Sequence, residues 1–174
     1  MGEINEPKPV LLLIAVSSRY EKALAWSEQQ AVVAYGPVRL KSEAFDFTET
    51  DYYTETMGTE LKKQFLVFDQ LIDPGTLPKI KHQTNSLEQQ YAEQHGHPES
   101  RPLNLDPGYL TLAKLVLAST KDHSHRVYMA EGIFAEITLN YRKRGWQRSE
   151  WTYPDYQRED FQAFFSECRQ TLRP

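Results

Sequence analysis

The pattern of apolar and polar positions opens with "VLLLIAV", Val10 to Val16, an unbroken apolar run. So short a run with no polar interruption predicts a strand covered on both faces. "SRYE" from Ser18 reads as a capping box, with Ser18 accepting from the Glu21 amide and Glu21 reaching back. The helix that follows carries Leu24, Ala31 and Tyr35 on one stripe and stops at Gly36-Pro37. "VRLKSEAFDF" predicts a second strand, "TETDYYTETMG" a polar segment, and "ELKKQFLVFDQLI" a third strand. "DPG" from Asp73 breaks the chain ahead of a helix with Leu77, Ile80, Thr84, Leu87 and Tyr91 on one side. "EQHGHPESRP" is a polar loop, the most mobile connection expected. "LNL" from Leu103 predicts a short strand. "DPGYL" then predicts the start of another helix, with Asp106 as N-cap and Pro107 at its first position. Because "YLTLAKLVLAS" is apolar almost all round, that helix is expected to be buried. "HRVYMA" and "IFAEITLNY" predict a hairpin about Glu131-Gly132, and a last helix from Asp155 to Leu172 presents Phe161, Phe164, Phe165, Cys168 and Leu172.

The order is βαββαβ, then α, ββ, α. It predicts an α+β fold with a mixed, mainly antiparallel sheet: a ferredoxin-like βαββαβ start, then a helix, a β-hairpin and a C-terminal helix. The length of 174 residues fits one domain, 1–174, with residues 1–8 as a loose lead. In the hairpin, a two-residue turn pairs Ala130 with Ile133, Tyr128 with Ala135 and Arg126 with Ile137. Alternation then assigns Tyr128, Ala130, Ile133, Ala135, Ile137 and Leu139 to the core. His125, Glu136 and Thr138 fall on the other face, with His125 opposite Thr138 and diagonal to Glu136.

Charge narrows the partners. A net charge of −4 argues against non-specific nucleic-acid binding, which needs clustered cations. The run Arg142, Lys143, Arg144, near Trp146, Arg148 and Trp151, reads as a solvated strand end. The one cysteine, Cys168, permits no disulfide within the chain and sits on an apolar helix face. No run approaches the roughly 20 apolar residues of a membrane span, and no signal peptide is recognisable. A cytoplasmic protein with no membrane partner is the expectation.

The candidate chemistry gathers at "KDHSHR". Lys121, His125 and Arg126 would collect an anionic ligand such as a phosphate or a nucleotide. Lys114 would assist, lying seven residues before Lys121 and on the same face of the expected helix. His125 and Glu136 would orient that ligand or transfer a proton. An alternative is a metal-dependent hydrolase using His123, His125 and Glu136, since His-x-His puts two rings on one side of a strand. At the start of the expected helix, Asp106 would face a ligand with Asn104 and Tyr109 beside it. Asn85 and Glu88 border the apolar stripe of the preceding helix and could orient partners in the site. A third reading is a protein-interaction module built on Trp146, Trp151 and Tyr153. The sequence names no cofactor: it has no P-loop, no dinucleotide fingerprint, no G-x-S-x-G elbow and no H-E-x-x-H.

Five stretches, "TDYYTETMG", "KHQTNSLE", "NLDPGYLTLAKLVLASTKDHSHRVY", "GIFAEITLNY" and "WTYPDY", together resemble the prokaryotic family known as domain of unknown function 4416. The resemblance runs from "KPVLLLIAV" to "WTYPDY" and implies no reaction, substrate or cofactor. Some members carry a GTP-binding label, which has no P-loop to rest on here. Thr56 stands where the family pattern has an acidic residue, so the resemblance assigns no carboxylate role at that position.

Overall fold

The computed structural model describes residues 2–50 and 52–173. Met1 of the expected lead and Asp51 of "TETDYYTETMG" lie outside them; residues 2–9 form no helix or strand. The described elements are β1 (Val10–Ser18), α1 (Glu21–Tyr35), β2 (Val38–Lys41), β3 (Phe45–Asp46), α2 (Thr54–Met57) and β4 (Lys62–Ile72). After them come α3 (Leu77–His95), β5 (Asn104–Leu110), β6 (Lys114–Ser119), β7 (Val127–Ala130), β8 (Ile133–Arg142), β9 (Gly145–Arg148) and α4 (Glu159–Gln170).

The strands join in one sheet of order β2-β4-β1-β5-β6-β8-β7, with β3 added to β4 and β9 to β8. Every pairing is antiparallel, so the α+β class stands while the mixed pairing expected of the sheet does not. β1 is central, and all of its residues are buried, as its unbroken apolar run requires. Alternation divides them between two cores. Leu11, Leu13 and Ala15 join Phe65 and Val67 of β4 under Phe161, Phe164, Phe165 and Cys168 of α4. Leu12, Ile14 and Val16 pack against Ala23, Leu24 and Ala31 of α1 and Ile80 and Tyr91 of α3. Helices therefore cover both faces of the sheet. Each buried Phe of α4 stabilises the packing by about 1.5–3 kcal/mol. Burial also pushes the Cys168 thiol up to about 12, which leaves no thiolate for nucleophilic chemistry.

Several local expectations fail, each for a physical reason. The Ser18 hydroxyl accepts from the Tyr20 amide at 3.0 Å and donates to the Pro102 carbonyl at 2.7 Å, so no capping box forms with Glu21. The single strand expected at "VRLKSEAFDF" breaks into β2 and β3, both paired to β4. The largest departure is the helix expected from Asp106. "DPGYLTLAKLVLAS" is instead the β5–β6 hairpin. A run that is apolar all round suits a strand buried on both faces as well as a buried helix. Here β1 and β8 offer ladders on either side, and pairing wins over helix propensity.

Pro107 and Gly108 give this hairpin its particular shape. The β5–β6 ladder covers only Gly108 to Leu110. β5 nevertheless stays on β1 down to Asn104, and β6 stays on β8 down to Ser119. The two strands therefore fork at Pro107, which has no N–H to donate. At the fork point the backbones approach so closely that a Cβ on Gly108 would collide with the Val116 carbonyl oxygen.

The turn at Glu131-Gly132 forms as expected, with φ of 53° and 75° at its two residues. An irregularity at Met129 then shifts the register: Ala130 faces Ile133, but Tyr128 faces Phe134 and Val127 faces Ala135. On β7 this turns Met129 toward Ile133 and Ala135 and leaves Tyr128 exposed. On β8 Ile133, Ala135 and Ile137 share one face as expected, but the opposite face is not the open one. Glu136 and Thr138 are buried at 2% and 0% exposure, while Ile137 is 40% exposed. The basic run at Arg142 becomes the exposed turn into β9, with Lys143 and Arg144 at positive φ. Trp146 of β9 is buried in the core beneath α4 and is not available as an exposed interaction residue. Among the described residues no helix is long and apolar enough to cross a membrane.

Candidate functional site

The fork between β5 and β6 opens into a cavity of about 650 Å³. β5 supplies Asn104 and Asp106; the end of β6 and the loop after it supply Leu117 to Lys121, His123 and Arg126. On one side stand Lys81, Asn85, Glu88 and Gln89 of α3, and on the other Lys63 of β4 with Asp155 and Tyr156. Phe47, Tyr52 and Tyr53 close it from the segment after β3, and Tyr153 from the segment before α4. Pairing of β3 with Lys62 and Lys63 brings the first segment over the cavity, and packing of Phe47, Met57 and Leu61 holds it there.

The floor is a set of charges paired across elements. Lys63 Nζ lies 2.5 Å from Asp155 Oδ2, with side-chain exposures of 6% and 5%. The same ammonium sits 3.8 Å from the centre of the Phe47 ring, a cation–π contact. Lys81 Nζ donates to the Leu105 carbonyl and to Asp106 Oδ1, both at 3.1 Å. Asn104 Nδ2 donates to Asp106 Oδ2 at 2.6 Å, and its carbonyl oxygen accepts from Arg101 Nη2. Arg101 also meets Glu88 Oε2 through Nε at 3.1 Å and Nη2 at 2.9 Å, and Glu88 Oε1 accepts from the Leu105 amide at 2.7 Å. Burial pushes the Glu88 carboxyl up against the pull of Arg101. Burial opposes the charge of Asp106 too. There Lys81, the Asn104 amide and Lys63 outweigh it and hold the carboxyl down to about 2.

The opposite wall is braced by Glu136. Its Oε2 accepts from Arg126 Nε at 2.9 Å and from His125 Nε2 at 3.1 Å, while its Oε1 accepts from the Thr138 hydroxyl at 3.2 Å. Arg126, buried to 4% side-chain exposure, extends Nη1 to Ser119 Oγ and to the Lys121 carbonyl, and Nη2 to the Tyr153 hydroxyl. Burial and the nearby Glu136 charge push that phenol up to about 12. Arg126 thus pins the 119–126 loop to β8. At the rim, exposed Lys121 places its ammonium 2.5 Å from the Tyr52 hydroxyl, and this hydrogen bond lowers the phenol.

Residues 8–172 match the family model described as "Domain of unknown function (DUF4416)". The match takes in nearly the whole chain, including both strands of the fork and every residue of the cavity wall. The chain belongs to the DUF4416 family. No curated protein and no solved structure matches it.

In this DUF4416 chain most of the sequence-predicted site residues meet at the cavity and some do not. Asn85, Glu88, Asp106, Lys121, His123, Arg126 and Glu136 do come together around the cavity. Lys114 does not: it begins β6 opposite Asn140, at the far end of the strand from Lys121, because the helix that would have aligned the two is absent. Tyr109 also lies elsewhere, packed with Leu77, Val116 and Ala118. Arg126 lines the wall, yet its guanidinium is engaged by Glu136, Ser119, Lys121 and Tyr153, so its part is to hold the loop. The metal trio does not assemble. His125 contacts Glu136 and stacks on Trp151, and among the described residues no three His, Cys, Asp or Glu side chains are grouped to hold an ion.

Sequence reasoning missed Lys63, Lys81, Arg101 and Asp155. Two of them left a signal. Lys63 alternates with Phe65 and Val67 on one face of β4, and Lys81 falls in the stripe Leu77, Lys81, Thr84, Glu88, Tyr91. A lysine in a buried stripe must find an anion or reach water, and both found an anion.

Proposed function

We propose that the cavity binds a small phosphate-bearing ligand, of the size and polarity of a nucleotide or sugar phosphate. The observation that carries this reading is the pairing of buried Lys63 and Lys81 with Asp155 and Asp106 in the wall of the cavity. Buried ion pairs stabilise a fold no better than apolar residues of the same volume, so a cluster of them around a cavity supports a binding role. A volume of about 650 Å³ lies within the range of small-molecule sites. Because the floor charges cancel pair by pair, the charge that meets a phosphate is assigned to Lys121 at the rim, beside the hydroxyls of Ser119 and Thr120. Tyr52, Tyr53 and Tyr153 supply flat faces for a ring.

Thermal-shift screening against nucleotides and phosphorylated metabolites tests the proposal. A ligand at a hundred times its Kd stabilises the folded state by about 2.7 kcal/mol. Lys121→Ala should lose most of the shift that a phosphorylated compound produces. A shift untouched by that substitution, or no shift with any phosphorylated compound, would count against it.

A further inference from the structure

The rim accounts for a phosphate; the floor asks for something else. Among the described residues Asp106 is the most open carboxylate of the cavity, with 29% side-chain exposure against 21% for Glu49, 10% for Glu88, 5% for Asp155 and 2% for Glu136. A carboxylate accepts about four hydrogen bonds. Side-chain donors fill one place on each Asp106 oxygen: Lys81 Nζ on Oδ1 and Asn104 Nδ2 on Oδ2. Both oxygens therefore keep capacity on the cavity side. The group is also fixed in position, since Asn104 is held by Arg101 and Arg101 by Glu88.

The charge around Asp106 selects what can approach it. Lys81 is already its counter-ion, and Lys63 adds to the positive field there. A ligand ammonium would meet two lysines, and a ligand carboxylate or phosphate would meet Asp106 itself. Neutral donors remain, and two acceptor oxygens side by side suit two adjacent hydroxyls.

From this we infer that Asp106 receives a vicinal diol, so that the ligand is a phosphorylated polyol with its hydroxyls on the floor and its phosphate at the rim. This deepens the phosphate-binding reading and rests on it. Asp106 is the specificity-determining residue, and Asn104, Arg101 and Glu88 are positioning residues behind it.

Wild-type protein alone supplies the decisive comparison, so the test does not depend on a variant that fails to fold. Affinities are measured calorimetrically for matched pairs with and without the diol: AMP and dAMP, GMP and dGMP, CMP and dCMP, ribose phosphate and deoxyribose phosphate. Loss of one hydrogen bond to a charged group should weaken the deoxy member by about tenfold or more. In Asp106→Asn the two members of a pair should become nearly equal, while Lys121→Ala should weaken both alike. Equal wild-type affinities, or binding of deoxy members alone, would overturn the diol inference and leave the phosphate reading standing. If no member of the panel binds, both fall together.

Discussion

At the scale of single residues, the buried pair Lys63–Asp155 has the largest consequence. Removing one partner leaves an uncompensated charge in the protein interior. Asp155→Ala should therefore destabilise by about 3–5 kcal/mol, whereas the double change Lys63→Met, Asp155→Leu should be near neutral. Urea denaturation of the variants distinguishes these outcomes, and an equal loss in both would contradict the account of the pair. Asp106 makes a pH prediction whose sign is fixed by the direction of its shift. Its carboxyl is held at about 2 in the fold against an ordinary value of 3.8. The stabilisation from its ionised form is thus complete above pH 4 and is lost as pH falls from about 4 to about 2. It amounts to about 2 kcal/mol. The stability gap between wild type and Asp106→Asn should narrow across that interval; a gap that stays constant would show that Asp106 is not held ionised as described.

At the scale of elements, two glycines separate close packing from backbone strain. A side chain at Gly108 meets the Val116 carbonyl at the fork, so Gly108→Ala should cost about 1–3 kcal/mol and disturb the cavity. Gly132 has φ of 75° with nothing near its missing Cβ, so Gly132→Ala should cost only about 1–2 kcal/mol of strain and leave the cavity intact. Thermal unfolding with a binding assay separates the two. These elements also mark how far the sequence could be read. α1, β4, α3, α4 and the Glu131-Gly132 turn follow from periodicity and turn residues, and β1 from an apolar run too short for a buried helix. The β5–β6 hairpin does not. Asp106-Pro107 copies a helix start, and the apolar run behind it fits either conformation, so the neighbours β1 and β8 decide. The Met129 irregularity was hidden as well, since nothing in "VYMA" announces a register shift. Glu136 lies in the wall for a separate reason: β8 sets it beside Leu117 of β6, on the face opposite Ile133, Ala135 and Ile137. His125 and Glu136 were expected as neighbours and are in contact, but beside a buried carboxylate and not on an open face.

At the scale of the whole molecule, the sheet does two things. Its β2-β4-β1-β5 half carries the helices and most of the apolar core. Its β6-β8-β7 half parts from β5 below Gly108, and the gap gathers side chains from β4, β5, β6, β8, α3 and four connecting segments. The site was only partly legible in the sequence for the same reason: Lys63, Lys81, Arg101 and Asp155 come from four places along the chain, and the fold alone brings them together. The most direct measurement of the central claim is a calorimetric titration of wild-type protein and Lys121→Ala with the phosphorylated compound that stabilises the protein best. Saturable binding at one site, weakened about tenfold or more by Lys121→Ala with folding unchanged, is the predicted result. Equal affinity in the two proteins, or no saturable binding by any phosphorylated compound, would contradict it.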